Sequence, residues 1–138
     1  MTPRQIELVQ QSWAQVAPRA DEAGRLFYGN LFALAPEVRS LFGGDIEAQS
    51  RKLMTMISYA VKGLNRLDAL QPGLEALGRR HVDYGVRDEH YAIVGKALIE
   101  TLREALGKAF SAEVEQAWAG AYAALAGAMQ RAEARRAA

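Results

Sequence analysis

His81 is the side chain in this sequence that is best suited to ligate a metal. The chain has two histidines and no cysteine, so His81 is the leading candidate for a soft metal ligand. Helical spacing places Leu74, Leu77, His81 and Tyr84 within one stripe, which points the imidazole to the apolar side of a helix. Histidine is often intermediate in burial, so a packed or locally hydrogen-bonded His81 is the alternative interpretation.

The composition is that of an ordinary globular protein. The 138 residues, 50% of them hydrophobic and 24% charged, fit one domain with a single core. A net charge of +1 with dispersed Lys and Arg argues against nucleic-acid binding. The absence of cysteine excludes disulfides, iron–sulfur clusters and thiolate zinc sites. No signal peptide and no run of the roughly 20 apolar residues that span a membrane occur, so we expect a cytoplasmic protein without membrane contact.

The elements that must position His81 are all predicted to be helices. The predicted helices run from Thr2 to Pro18, Arg19 to Ala35, Pro36 to Phe42, Asp45 to Leu64, Leu74 to Gly85, Asp88 to Gly107, and from Ser111 towards the C-terminus. Residues 65–73 form a predicted linker, and Asp88 and Ser111 are predicted N-caps. Because no alternating strand pattern competes, we predict an all-α fold of helices with unequal lengths.

Unequal helix lengths favour a pocket over a simple bundle, in which neighbouring helices should match in length. The short His81 helix lies between two long ones and could form the wall of a pocket for a flat ligand. Gly24 lies one turn before Tyr28, and Ser50 follows Gln49, so two small residues could let the second and fourth helices approach closely. That crossing would bring Tyr28 towards Gln49. The alternative is that Gly24 is simply a tolerated helix glycine.

Several of these residues occur in the order and approximate spacing found in bacterial globins. They are Tyr28, Pro36, Phe42, Gln49, Leu53, His81, Tyr91, Trp118 and Glu133. Over nearly its whole length the chain resembles the single-domain haemoglobins related to the haem domain of flavohaemoglobins. The resemblance implies a three-over-three helical sandwich around haem b, with residues 1–138 as a single globin domain and no reductase or output domain.

The resemblance also implies a role for each side chain of the pocket. His81 would be the proximal iron ligand, oriented through Tyr91 and Glu133. Tyr28 and Gln49 would donate hydrogen bonds to a bound gas, which predicts tight O2 retention. The residues expected to hold the haem are Phe42, Leu53, Met54, Met56, Ile57, Leu77, Arg80, Val86, Tyr91, Val94 and Leu98, with Arg80 and Lys52 near the propionates.

Each of these roles has an alternative. Tyr91 could be a core aromatic, and Glu133, Arg80 and Lys52 could be solvated surface charges. His90 is expected at the surface without a ligand role.

Three haem-based functions are compatible with such a site. The first is reversible, high-affinity O2 binding used for NO dioxygenation, for which a separate reductase would supply electrons. The second is a haem-based gas or redox sensor, and the third is a peroxidase-like activity. Outside haem chemistry, the chain could be a helical interaction domain with a buried histidine. A Soret band after haemin addition separates the haem-based functions from this last one.

Overall fold

Six α-helices make up most of the chain in the computed structural model. The structure describes residues 1–42, 44–83 and 87–137, without the side chains of residues 81–83 and 132–137. The helices are α1 (Pro3–Val16), α2 (Ala20–Leu34), α3 (Ile46–Lys62), α4 (Leu67–Asp83), α5 (Asp88–Leu106) and α6 (Ala112–Ala137). Short 3-10 helices cover Ala17–Arg19, Pro36–Leu41, Leu64–Arg66 and Gly107–Ala109. The described residues contain no strand and no helix that is long and apolar enough to cross a membrane, and the all-α prediction is confirmed.

Three local capping signals act where the sequence predicts them. The backbone N–H of Gln5 donates to Oγ1 of Thr2 at 3.1 Å, and the backbone N–H of Thr2 donates to Oε1 of Gln5 at 3.0 Å. The hydroxyl of Ser111 accepts from the backbone N–H of Val114 at 3.2 Å at the start of α6. Gly107, with a φ of 56°, follows the last residue of α5. These bonds satisfy backbone groups that a helix end leaves unpaired.

The predicted linker over residues 65–73 is wrong. The chain is helical over Leu64–Arg66, and α4 follows directly with Pro72 inside it. Proline cannot donate the helical hydrogen bond at this position. Leu64 and Leu70 are both buried, and burying each leucine side chain stabilises the fold by about 1.5–3 kcal/mol. Tertiary burial therefore outweighs the local helix-breaking signal.

The prediction that Asp88 is the N-cap of α5 is also wrong, by one residue. Arg87 occupies the cap position, and its backbone N–H donates to Nδ1 of His90 at 2.9 Å. His90 is half-buried rather than fully at the surface, because its ring folds back over the helix start. Asp88 and Glu89 lie in the first turn, where their carboxylates interact favourably with the helix dipole.

The helices form two layers, with α1, α3 and α4 packed on α2, α5 and α6. Trp13 and Trp118 meet between the layers, with ring centroids 6.0 Å apart. The indole N–H of Trp13 donates to Oγ of Ser58 at 2.9 Å, and that of Trp118 donates to Oγ of Ser12 at 2.8 Å. Both buried indoles thus find an acceptor, and the two bonds tie α1 to α3 and to α6.

Candidate functional site

Tyr28 on α2 is buried where α2 crosses α3, and it is 4% exposed. Burial raises the pKa of the Tyr28 phenol above its ordinary value, and a hydrogen bond with the side chain of Gln49 offsets part of the rise. The phenol is therefore neutral at neutral pH and can still donate its own proton.

The close approach of α2 to α3 depends on Gly24 and Ser50, as the sequence predicts. A Cβ built on Gly24 would lie 1.8 Å from Oγ and 3.2 Å from Cβ of Ser50. Ser50 is itself buried in this crossing. Because Tyr28 lies one turn after Gly24 and Gln49 lies next to Ser50, this contact also brings the two polar side chains within hydrogen-bonding reach.

An aromatic cluster packs around the Tyr28 ring. The Tyr28 and Phe42 ring centroids are 5.4 Å apart in an edge-to-face arrangement. Phe32 lies 5.9 Å from each of these two rings, and the guanidinium of Arg39 lies 5.0 Å from its centroid. No role for Phe32 was predicted from the sequence, although its spacing of four residues from Tyr28 on one helix is a signal for contact. The cluster restricts the orientation of the Tyr28 ring.

One face of α3 carries apolar side chains that the protein covers incompletely. Leu53 and Ile57 are half-buried against the core, and Met56 is 41% exposed. Met54 lies on the other side of the helix, where its Cγ is 3.6 Å from a Cβ built on Gly24. Met54 is thus buried between α2 and α3, and its expected role as a haem contact stays a prediction. The open face lies on the same helix as Gln49.

The expected iron ligand is in the last turn of α4. His81 belongs to that helix, but its side chain lies outside the described residues. Leu77, one turn earlier, is half-buried, and Arg80 is exposed. Val86 and the side chain of Glu133 also lie outside the described residues, so the roles expected for both stay predictions.

Tyr91, at the start of α5, is buried and is anchored through its backbone. The hydroxyl of Tyr122 on α6 donates to the carbonyl of Tyr91 at 2.6 Å. The Tyr122 ring lies against Gly95, where an added Cβ would come within 2.9 Å of the ring. Val94 is half-buried and Leu98 is buried on the same helix. The bond from the Tyr122 hydroxyl to the Tyr91 carbonyl was not predicted from the sequence.

Comparisons with known proteins agree with this architecture. The family model named Globin matches residues 25–129. A flavohemoprotein from Bordetella parapertussis is 33% identical over 91% of this chain, and the match covers 32% of the flavohemoprotein. The chain therefore spans about a third of the length of that relative. A neuroglobin from Tetraodon nigroviridis is 30% identical, over 95% of this chain and 91% of its own.

Solved structures show the same arrangement of helices. An engineered carbene transferase, made from a proposed nitric oxide dioxygenase of Rhodothermus marinus, aligns with a TM-score of 0.88 at 27% identity. That alignment covers 98% of this chain and 94% of the other. A bacterial globin from Campylobacter jejuni aligns with a TM-score of 0.85 at 24% identity, over 97% of both chains. The predicted three-over-three helical sandwich is confirmed by these alignments.

Proposed function

The chain belongs to the globin family, and we propose that it binds haem b beside the α3 face of Leu53 and Met56 and uses it for tight O2 binding and NO dioxygenation. His81 is the proposed iron ligand. Haem binding is the shared property of the family. The observation that carries the O2-binding proposal is the neutral, buried Tyr28 phenol, hydrogen-bonded by Gln49 on the helix that presents the open apolar face.

The described residues fit a flat apolar group with charged substituents. Leu53, Met56 and Ile57 offer an apolar surface, and Met56 is 41% exposed where a bound porphyrin would remove it from water. Lys52 and Arg80 are exposed, which leaves both cations accessible to the propionate carboxylates. When bound, the haem supplies an iron centre at which diatomic gases can coordinate. This chain must then supply the side chains that hold, orient and stabilise the ligands.

Tyr28 and Gln49 supply hydrogen bonding on the distal side. Gln49 is a hydrogen-bond partner of Tyr28 and so helps to hold the phenol, which burial keeps neutral and able to donate. A hydrogen bond from the phenol to a partly negative O2 ligand is worth about 1–3 kcal/mol in a buried site. That energy corresponds to an O2 release rate about 5- to 150-fold slower than without the bond. Gln49 thus acts by positioning Tyr28 as well as by donating itself.

Tyr91, Tyr122 and Glu133 form the proposed proximal side. The bond from Tyr122 to the Tyr91 carbonyl fixes the first turn of α5, which carries the Tyr91 ring. A fixed Tyr91 ring, together with Glu133, would orient His81 and increase the basicity of its imidazole. The proposal for these groups is supported by the burial of Tyr91 and by the family membership of the chain.

NO dioxygenation combines NO, O2 and one electron to give nitrate, so turnover needs an electron donor. We assign that role to a separate reductase, with residues 1–138 acting as one globin domain. The names of the flavohemoprotein relative and of the Rhodothermus structure support this choice of reaction. In this scheme the tight hold of Tyr28 on O2 keeps the oxidant in place until NO arrives.

The proposed reaction can be tested with one turnover of purified, haem-loaded protein. Protein in the ferrous, O2-saturated state is mixed with one equivalent of NO, and nitrate and the oxidation state of the haem are measured. We expect one nitrate and one ferric haem for each NO consumed. NO loss without nitrate would contradict the dioxygenase proposal while leaving O2 binding intact. A protein that shows no Soret band after haemin addition would contradict the whole proposal.

A further inference from the structure

Gly78 is the point at which α4 touches the backbone of α6. A Cβ built on Gly78 would lie 2.4 Å from the carbonyl oxygen of Met129, 2.8 Å from its Cα and 2.9 Å from its carbonyl carbon. Gly78 is buried. Among the described residues, α4 packs more extensively on α6 than on any other helix. The absence of a side chain at Gly78 is what allows the two backbones to come this close.

This contact is rigid because both partners are main-chain atoms. At Gly24 the atom nearest to an added Cβ is the Ser50 hydroxyl oxygen, which can rotate, whereas the three atoms nearest to an added Cβ at Gly78 all belong to the Met129 backbone. Bringing the 2.4 Å contact to an ordinary 3.4 Å would require the helices to separate locally by about 1 Å. A side chain at Gly78 therefore has to move α4 or α6 as a body.

His81 follows Gly78 by three residues in the same helix. At about 1.5 Å of rise per residue, the two Cα atoms are separated by roughly 4.5 Å along the helix axis. A helix is stiff over one turn, so a displacement at Gly78 is carried to the backbone of His81 with little loss. The position of α4 on α6 thus determines where the backbone of His81 lies.

We propose that Gly78 is a positioning residue for His81: the contact of Gly78 with the Met129 backbone sets the distance of α4 from the haem. This inference rests on the proposed function, because it requires His81 to ligate the iron. Gly78 touches neither haem nor gas in this proposal, and it acts only through the helix that carries the ligand.

Gly73 provides a matched control on the same helix. It lies inside α4, and a Cβ added there would meet nothing within 4 Å. Gly78→Ala and Gly73→Ala therefore make the same chemical change in one helix, with and without a backbone contact. We expect Gly78→Ala to shift the iron–histidine stretching band in the resonance Raman spectrum of the ferrous, gas-free protein, and Gly73→Ala to leave that band unchanged.

A second background separates positioning from general distortion. In His81→Gly protein with added free imidazole, the iron ligand is no longer attached to α4. We expect Gly78→Ala to have no effect on the iron–imidazole band in that background. A shift of equal size with and without the covalent link would overturn the inference, as would identical bands for wild type, Gly73→Ala and Gly78→Ala.

Two further outcomes are distinguishable. If wild-type protein shows no iron–histidine band, the proposed function fails, and the positioning role fails with it. If Gly78→Ala alone does not fold, Gly73→Ala/Gly78→Ala is compared with Gly73→Ala, because alanine at Gly73 favours the helix. Failure of both Gly78 variants to fold would assign Gly78 to stability alone and overturn the positioning role.

Discussion

The hydroxyl of Tyr122 donates a 2.6 Å hydrogen bond to the backbone carbonyl of Tyr91, across the contact between α6 and α5. The Tyr122 ring occupies the space beside Gly95, where even a methyl group would come within 2.9 Å of it. This bond fixes the beginning of the helix that carries the buried Tyr91 ring. Tyr122 therefore links α6 to the start of α5, which carries Tyr91, a residue of the proposed proximal side.

Replacing Tyr122 by Phe keeps the ring and removes the bond. We expect the free energy of unfolding, measured by urea titration, to fall by about 0.5–1.5 kcal/mol, the usual net value of one hydrogen bond. Tyr59→Phe is the control, because Tyr59 is 69% exposed and its loss of a hydroxyl should change stability by less than about 0.5 kcal/mol. Equal changes in the free energy of unfolding for the two substitutions would show that the hydrogen bond from Tyr122 to the Tyr91 carbonyl does not stabilise the fold.

Stability should fall at alkaline pH because of two buried phenols. Burial raises the pKa of both Tyr28 and Tyr122 above the ordinary value of 10.0. Above pH 10 the unfolded chain therefore loses these protons before the folded protein does, and each group contributes stability that is fully present below pH 10 and declines above it. The maximal slope is about 1.4 kcal/mol per pH unit for each phenol.

Urea titrations between pH 8 and pH 11.5 measure this dependence. We expect a smaller loss of stability above pH 10 in Tyr122→Phe than in wild type, because one of the two phenols is gone. Tyr59→Phe serves again as the control and should follow the wild-type curve. A curve for Tyr122→Phe that is as steep as that of wild type would contradict the assignment.

Gly24 should be intolerant of a side chain because of Ser50. A Cβ at Gly24 would lie 1.8 Å from the Ser50 hydroxyl oxygen and 3.2 Å from the Ser50 Cβ, which rotation of the hydroxyl does not move, so Gly24→Ala should destabilise the fold by about 1–3 kcal/mol. Gly24→Ala/Ser50→Ala should recover part of this loss, since the nearest atom is removed. Gly29→Ala on the same helix, where nothing lies within 4 Å, should be neutral or stabilising by up to about 1 kcal/mol. Additive effects of Gly24→Ala and Ser50→Ala would show that the two positions are not coupled.

Features that depend on a few neighbouring residues could be predicted from the sequence. The reciprocal bonds between Thr2 and Gln5 and the cap at Ser111 are complete within four residues, so their patterns are visible in the chain. The linker prediction over residues 65–73 failed because the conformation there depends on packing that a few neighbouring residues do not reveal. Pro72 and Gly73 are strong local signals, but α4 packs on α6, far along the chain, and Leu70 is buried.

The same difference between local patterns and long-range contacts holds in the candidate site. The approach of Tyr28 to Gln49 was predictable because two small residues, Gly24 on α2 and Ser50 on α3, mark the point where these helices cross. The bond from Tyr122 to Tyr91 was not, because it joins residues 31 positions apart and depends on how α6 crosses α5. No local sequence pattern identifies the distant acceptor of a tyrosine hydroxyl on a helix.

If the Tyr28 hydroxyl holds O2 in the proposed pocket, removing that hydroxyl should accelerate O2 release. Stopped-flow release of O2 from ferrous, haem-loaded protein is measured for wild type, for Tyr28→Phe and for Tyr59→Phe as the exposed control. We expect a rate for Tyr28→Phe that is about 5- to 150-fold faster than that of wild type, with Tyr59→Phe unchanged. An O2 dissociation rate in Tyr28→Phe equal to that of wild type would contradict this role of Tyr28.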